Sequence, residues 1–354
     1  MKTCWTTSSK LGIKVRRNPD YNYESIWFNL KTYRLGEGES KELPPTKAEF
    51  YDVALGTKCN ANCPDCYASA SQSGELFENI CETWLRFIST MAPDIELNPK
   101  DDPVLKEILL DPIDISAPYD VLSLQVGARE NYTLYHKIIL TEKPTQIAIG
   151  STGEPTIHPD FIKFLQTVFE TEVVPNYTTN GIILGGKEEP TDLLNATEKW
   201  VGGVAVSFGN RALRNYAVKA IDRLQGVTKV VIHHIIKDKN SVDEVFKYAE
   251  DYGDKIHYHV LLPLMAHGRS KEGMKDDGTY QYLAERVEKT GIKNLAFGAN
   301  FTPWMKKYPN LLPVYDYPQE TYSKNILLKP EGIVITKSSF NLETVYAEVK
   351  KDND

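Results

Sequence analysis

The chain has 354 residues, of which 41% are hydrophobic and 25% are charged, values that are typical of a globular protein and exclude a disordered chain. The formal net charge of −7 disfavours binding to a phosphate backbone, so nucleic acid is not an expected partner. No apolar run reaches the roughly 20 residues that cross a bilayer, and the first residues lack a secretory signal. We therefore expect a cytoplasmic protein without membrane contact.

Residues 1–50 are predicted to form an appended segment that contains a β-hairpin. Short strand-like runs at 13–15 and 26–28 lie on either side of a turn-rich stretch with Asn18, Pro19 and Asp20. A cover over one end of the main domain is one hypothesis for this segment.

A different pattern extends from about residue 51 to residue 265, where apolar strands alternate with amphipathic helices. Six strand-like runs lie at 51–55, 146–150, 173–180, 203–208, 229–236 and 256–264. The helix after the second run has one apolar stripe, formed by Phe161, Phe164, Leu165, Val168 and Phe169. Such alternation predicts parallel strands with helical crossovers and fits either an α/β barrel or a doubly wound sheet. In both folds the chemistry lies at the carboxyl ends of the strands.

Two further segments flank or interrupt this core. Residues of about 90–145 are predicted to be an insertion near the active face, because the stretch is long for a crossover and rich in proline and acids. Residues 266–354 are predicted to be a C-terminal extension without cysteine, in which 325–335 resembles a hairpin.

The most informative motif directly follows the first predicted strand of the core. Cys59, Cys63 and Cys66 have C-x3-C-x2-C spacing, and three of the five cysteines thus fall within eight residues. This clustering is unsuited to a disulfide framework and indicates metal ligands or catalytic thiols. Thiolates at this spacing can converge on an iron–sulfur cluster. A structural zinc site, which needs a fourth ligand, and unliganded buried thiols are the alternatives.

The motif resembles that of the radical S-adenosylmethionine (radical SAM) superfamily, in which an aromatic residue follows the last cysteine, as Tyr67 does here. Thr152-Gly153-Glu154-Pro155 after the second strand is similar to the superfamily's Gly-Gly-Glu-Pro motif, with threonine in place of the first glycine. The resemblance implies a partial (β/α)6 TIM-type barrel over residues 51–265. It also implies one four-iron four-sulfur (4Fe-4S) cluster on the three cysteines, with one iron left open for S-adenosylmethionine.

The resemblance also implies a set of residues that bind the cofactor. These are Tyr67, Thr152, Gly153, Glu154, Asn180, Ser207, His234 and Leu262. A turn formed by Asn180 and Gly181 is the alternative for Asn180. His233 and His234 lie on opposite faces of the fifth strand, and a buried structural histidine is the alternative for each. His267 and Arg269 are candidate substrate contacts, with a solvated loop arginine as the alternative for Arg269.

The function that the resemblance implies is a radical SAM enzyme. A reduced cluster cleaves the cofactor to a 5′-deoxyadenosyl radical, which removes a hydrogen atom from a small molecule, an amino acid or a peptide. An electron donor such as flavodoxin or ferredoxin is then a further partner. Two alternatives stay open at this point: a radical SAM enzyme that modifies nucleosides or nucleic acid, and a non-catalytic metal-bound scaffold.

The remaining cysteines limit the reaction type. Only Cys4 and Cys81 lie outside the motif, too few to bind a second cluster by thiolates alone, so a single cluster is predicted. A single cluster favours rearrangement, epimerisation or another redox-neutral modification. An epimerase needs a hydrogen donor, for which Cys81 is a candidate, and an inert core cysteine is the alternative.

Overall fold

The computed structural model describes residues 10–18, 23–29, 31–36, 48–117, 119–290, 292, 294–312, 323–330, 332–338 and 341–347. Its strands are β1 (Ile13–Asn18), β2 (Tyr23–Phe28), β3 (Lys31–Gly36), β4 (Phe50–Ala54), β5 (Ile95–Glu96), β6 (Ile138–Leu140), β7 (Gln146–Ile149), β8 (Val174–Thr179), β9 (Gly203–Ser207), β10 (Lys229–Ile236), β11 (Tyr258–Pro263), β12 (Leu295–Phe297), β13 (Ser323–Lys329), β14 (Gly332–Ser338) and β15 (Asn341–Ala347). Cys4 and the predicted turn at Pro19 and Asp20 lie outside the described residues.

Helices follow most strands of the core. They are α1 (Ile80–Ser89), α2 (Pro103–Leu109), α3 (Tyr119–Tyr135), α4 (Phe161–Glu170), α5 (Thr191–Trp200), α6 (Arg214–Leu224), α7 (Lys239–Tyr252), α8 (Thr279–Lys289) and α9 (Thr302–Lys307). Among the described helices, none combines the length and the apolar character that crossing a membrane requires.

The main sheet confirms the predicted α/β fold, a partial barrel of parallel strands. In the described residues its order is β12-β11-β10-β9-β8-β7-β4-β13-β14-β15. The six predicted strands β4 and β7 to β11 are neighbours in chain order and pair in parallel. β12 and β13 extend the parallel array at its two edges, and β14 pairs with β13 as an antiparallel hairpin.

Side chains alternate between two faces of each core strand, as a period of two requires. On β10, Val230 and Ile232 are buried among the residues of the helix layer, whereas His233 lies on the opposite face and is half-buried. We call that opposite face the inner face of the barrel. The predicted apolar stripe of α4 packs into the same helix-side core, with Phe164 and Leu165 fully buried.

A second, smaller sheet has the order β3-β2-β1-β6-β5. β1, β2 and β3 are successive antiparallel strands, and β6 of the predicted insertion pairs in parallel with β1. Helices α2 and α3 cover this sheet, and their apolar side chains share one cluster with it: Ile13, Val15, Ile26, Phe28, Leu105, Ile108, Leu109, Leu124, Ala128 and Ile138. The N-terminal segment and the insertion therefore build one small α+β unit.

The small unit lies at the amino ends of the barrel strands. Trp27 is fully buried and packs with Leu11 against Val174, the first residue of β8. Lys137 forms an ion pair of 3.1 Å with Glu172, just ahead of the same strand. The prediction that the insertion lies near the active face is therefore wrong, because its strands complete a sheet at the opposite end of the barrel.

Candidate functional site

The cysteine loop, residues 55–76, leaves the carboxyl end of β4 and folds back on itself. Backbone bonds join its two sides: Thr57 N–H donates to the Glu75 carbonyl at 2.8 Å, and Cys59 N–H donates to the Ser71 carbonyl at 2.8 Å. Cys59, Cys63 and Cys66 are free and half-buried in this loop. The predicted ligands thus lie at the carboxyl edge of the parallel sheet, where such folds place their chemistry.

Two asparagines from other strand ends direct side-chain N–H groups at the cysteine sulfurs. Asn210, which follows β9, donates from Nδ2 to Cys63 Sγ at 3.3 Å. Asn180, which follows β8, donates from Nδ2 to Cys59 Sγ at 3.7 Å and to Asn60 Oδ1 at 2.8 Å. Asn180, a predicted cofactor contact, thus lies against the cysteine loop.

A segment that leaves β11 lies across the same loop. The Arg269 N–H donates to the Cys66 carbonyl at 3.0 Å, and the Arg269 side chain donates to the Cys63 carbonyl at 2.8 Å and to the Ala70 carbonyl at 2.7 Å. Gly268 has φ of +64°, and a Cβ there would lie 2.2 Å from the Tyr67 carbonyl oxygen. This packing indicates that Arg269 holds the cysteine loop in place. It favours that role more than the predicted contact of Arg269 with substrate.

Electrostatic contacts add to this anchoring. Lys237, just after β10, forms an ion pair with Asp65, which lies between the second and third cysteines. Burial raises the pKa of the Cys59 thiol, and the neighbouring Glu154 and Cys63 raise it further, whereas N–H donors from Ala61 and Asn180 oppose the shift. Through Asn180, Asn210, Lys237 and Arg269, the loop contacts the segments that follow β8, β9, β10 and β11.

The turn after β7 is built around a buried carboxylate. Glu154 accepts hydrogen bonds from the Thr179 hydroxyl at 2.8 Å and from the Asn180 N–H at 2.7 Å, and burial raises its pKa. The Thr152 hydroxyl donates to the Gly56 carbonyl at 2.7 Å. Gly153 has φ of +70°, and a Cβ there would lie 2.7 Å from the carbonyl oxygens of Gly56 and Lys58. The predicted Glu154 side chain is thus engaged within the chain, and the turn presses against the start of the cysteine loop.

Tyr67 joins that turn to the third cysteine. Its hydroxyl donates to the Ser151 carbonyl at 2.6 Å, and desolvation of that hydroxyl together with the charge of Asp52 raises its pKa, while 37% of the residue's surface stays exposed. Asp52 lies on β4 opposite Ala148 of β7, on the inner face, and burial raises its pKa to about 7. The aromatic residue after the motif is therefore placed between the cysteine loop and the turn after β7.

The inner face carries some of the other predicted residues. Ser207 is opposite His233 in the register of β9 and β10, and Leu262 is opposite Ile235 in that of β10 and β11. All four side chains are half-buried on the inner face. Ser207 and Leu262 therefore lie on the face where a cofactor could contact them.

The prediction for His234 is wrong. Its ring lies on the helix side of β10, where Nε2 is 3.0 Å from His259 Nδ1, and both residues are buried. Burial lowers the pKa of His234, and it lowers that of His259 to about 4. The neighbour His233 occupies the inner face instead. The strand pattern showed that the two histidines face opposite ways, but it did not show which one faces inward.

Cys81 is also displaced from its predicted role. It lies in the first turn of α1 and packs against the helix-side core. Burial raises the pKa of its thiol, whereas a hydrogen bond that its sulfur accepts from the Thr167 side chain of α4 opposes this shift. This position is outside the barrel, so a hydrogen donor to a substrate on the inner face is not expected there. His267 is half-buried two residues after Met265, whose carbonyl accepts its N–H at 2.8 Å.

The chemistry of the donor set fits an iron–sulfur cluster. Free, half-buried thiols on one loop are the usual ligands of such clusters, and N–H donors to sulfur are a common part of their surroundings. Within the described ranges, no three His, Cys, Asp or Glu side chains are arranged to hold a single metal ion. A cluster makes a different demand, because each thiolate binds a separate iron.

Sequence reasoning missed Asn210 and Lys237. Both directly follow the carboxyl end of a predicted strand, Asn210 three residues after Ser207 and Lys237 one residue after Ile236. Their position just after a strand of the core was therefore the signal in the sequence that could have identified them. Their partners in the cysteine loop lie 147 and 172 residues away in sequence, which no local pattern reveals.

Comparison with known proteins gives a likeness of fold. No protein-family model and no curated protein sequence matches the chain. The structure of Streptococcus suis SuiB bound to S-adenosylmethionine is similar over 83% of this chain and 60% of SuiB, with a TM-score of 0.51 and 13% identity. SuiB bound to its precursor peptide SuiA is similar over 87% of this chain and 64% of SuiB, with a TM-score of 0.54 and 14% identity. The chain thus shares its fold with SuiB and spans less than two thirds of SuiB's length.

Proposed function

We propose that this chain is a radical SAM enzyme that binds one 4Fe-4S cluster through Cys59, Cys63 and Cys66. The observation that carries the proposal is the cysteine loop itself, with three free thiols at the carboxyl edge of a parallel barrel and amide donors directed at two of their sulfurs. A shared fold with SuiB, whose structure was determined with S-adenosylmethionine bound, supports that cofactor. When bound and reduced, the cluster supplies the electron for cleaving S-adenosylmethionine to a carbon radical.

The chain's own residues position the cofactor and surround the reaction. Backbone groups of the turn at Gly153 would receive the amino group of the cofactor's methionine, while Ser207 and Leu262 would contact the rest of it from the inner face. His233 takes the place on that face that was predicted for His234. The cysteine loop, anchored by Arg269 and Lys237, excludes water from the carboxyl end of the barrel.

The substrate class that we propose is a peptide or a small molecule. A structure of SuiB was determined with a precursor peptide bound, and 87% of the present chain is similar in fold to that structure. The net charge of −7 favours these substrates over a nucleic acid. The proposal includes one cluster, a redox-neutral reaction, a flavodoxin or ferredoxin as electron donor, and a cytoplasmic location.

Anaerobic reconstitution with iron and sulfide tests the proposal. The wild-type protein should bind about four iron atoms per chain and, with dithionite and S-adenosylmethionine, should form 5′-deoxyadenosine that mass spectrometry detects. Cys59→Ala, Cys63→Ala and Cys66→Ala should each lose cluster and product. Cys81→Ala is the matched control and should keep both, because Cys81 lies in the helix layer.

One result would count against this function, and another against the control. A colourless wild-type protein that contains zinc and forms no 5′-deoxyadenosine would support the metal-bound scaffold. Loss of product in Cys81→Ala, with its iron content unchanged, would contradict the assignment of that cysteine to the helix layer alone.

A further inference from the structure

Asn210 and Asn180 share a geometry that an ordinary turn does not require. In each residue, Oδ1 accepts the backbone N–H two positions later: from Ala212 at 3.0 Å for Asn210 and from Ile182 at 2.9 Å for Asn180. This bond fixes which end of the amide is oxygen. The Nδ2 group is then directed away from its own turn, and in both residues it donates to a cysteine sulfur.

The two turns are separate in sequence and come from separate strands. Asn180 follows β8 and Asn210 follows β9, yet their amides reach Cys59 and Cys63 of the same loop. Both asparagines are half-buried, so these bonds are partly shielded from competing water. Two copies of one arrangement on two neighbouring thiols point to a function connected with the sulfurs.

We propose that Asn210 and Asn180 are positioning residues that hold the Cys63 and Cys59 thiolates and raise the reduction potential of the cluster, an inference that rests on the proposed function. An N–H donor stabilises negative charge on a ligating sulfur, and this charge increases when a cluster is reduced. The donors therefore stabilise the reduced state more than the oxidised state. Asn210 has the larger effect, since its bond is shorter and its Nδ2 has no second acceptor among the described contacts.

The substitution Asn210→Ser separates the sulfur bond from the turn. A serine hydroxyl can still accept the Ala212 N–H, because serine forms the same kind of turn, but it is too short to reach the sulfur. Asn98→Ser is the matched control: Asn98 Oδ1 accepts the Lys100 N–H at 3.2 Å, and its Nδ2 donates to Asp101 in the small unit instead of to sulfur. Asn180→Ser provides the second test position.

The experiment is an anaerobic redox titration of the reconstituted protein, followed by electron paramagnetic resonance, with iron content and thermal unfolding measured in parallel. Asn210→Ser should shift the midpoint potential to a more negative value, Asn180→Ser should shift it less, and Asn98→Ser should leave it at the wild-type value. Loss of iron from folded Asn210→Ser, while Asn98→Ser remains loaded, would equally support the positioning role.

Two outcomes overturn the inference and can be told apart. A cluster that forms in wild type and in Asn210→Ser with the same iron content and the same potential refutes it and leaves the proposed function intact. A wild-type protein that binds no cluster refutes the proposed function and this inference together.

Discussion

The two ends of the barrel use polar groups in different ways. At the amino end, Lys14 and Arg16 are buried between the small sheet and the barrel, and burial lowers the pKa of Lys14 to about 8. The Lys14 ammonium lies 5.7 Å from the centre of the Trp27 ring. At the carboxyl end, the half-buried side chains of Asn180, Asn210 and Arg269 donate to sulfurs or to carbonyls of a single loop.

This difference indicates that polar groups at the amino end stabilise the fold, whereas those at the carboxyl end serve the candidate site. Removing a buried charged group changes the free energy of unfolding, because it leaves the buried groups around it without their partner. A donor at the edge of a half-buried loop costs less to desolvate and can direct a ligand. Substitutions at the amino end should therefore change the free energy of unfolding, and those at the carboxyl end should change the cluster. The following predictions test this division.

Trp27→Ala should give the largest loss of stability. Trp27 fills the contact between the small unit and Val174, and truncating a buried tryptophan costs about 3–5 kcal/mol. Urea unfolding measures this loss. The iron content of the folded variant should equal that of wild type, because Trp27 lies at the amino end. Loss of the cluster from folded Trp27→Ala would break the division between the two ends.

Gly268→Ala should disrupt the cysteine loop. The positive φ alone costs about 1–2 kcal/mol for a residue with Cβ, and the new methyl group would also press on the carbonyls of Tyr67 and Cys66. We expect a larger loss of stability than strain alone gives, and loss of most of the iron in reconstitution assays.

Gly226→Ala is the control for Gly268→Ala. Gly226 has φ of +81°, but a Cβ there meets no atom within 4 Å, so only the backbone strain should remain. Its stability should fall by about 1–2 kcal/mol with iron content unchanged. Equal iron content in the two variants would show that Gly268 does not control the loop.

The buried pair His234 and His259 should make the protein sensitive to acid. The unfolded chain takes up a proton on each histidine near pH 6.5, whereas the folded pKa of His259 is about 4. The unfolded state therefore binds more protons on this pair between these values. The contribution of the pair to stability falls as the pH is lowered from about 6.5 to about 4, by on the order of 3 kcal/mol for His259 alone. Unfolding in urea at several pH values measures this decline.

A double substitution tests the origin of that decline. His234→Leu with His259→Leu removes both buried rings, which bond to each other at 3.0 Å, and should make stability fall less steeply below pH 6.5 than in wild type. Part of the slope should remain, because burial also lowers the pKa of His233 and of His257 to about 4. His136→Asn, at an exposed histidine outside the pair, should keep the wild-type slope. An unchanged slope in the double variant would assign the acid sensitivity to other groups.

The sequence predicted the core strands and the helix stripe because both depend on local periodicity. Val230 and Ile232 lie on one face of a strand and His233 lies on the other. Phe164 and Leu165 belong to an apolar stripe at helical spacing. Both patterns are visible in the sequence without tertiary information. Alternation alone did not distinguish a barrel from a doubly wound sheet, because that choice depends on how strands pair; the partial barrel was predicted from the resemblance of the motifs.

The errors in the predicted site have a common physical origin. The inward direction of His233 rather than His234 depends on strand register, and the position of Cys81 depends on which face of α1 packs on α4. The insertion was misplaced because β6 pairs with β1, a contact that joins residues more than a hundred positions apart. Composition shows that a stretch is polar or rich in proline, but not which end of a barrel it joins.

The contact between Arg269 and the carbonyls of Cys63 and Cys66 has a consequence for the order of assembly. The ribosome makes the metal-binding motif early, but the guanidinium that fastens it emerges about two hundred residues later. A nascent chain whose three loop cysteines have just left the ribosome therefore lacks the Arg269 contacts that hold the cysteine loop. Iron loading should follow completion of the sixth barrel strand, and a growing polypeptide should leave its cysteines open to oxidation until then.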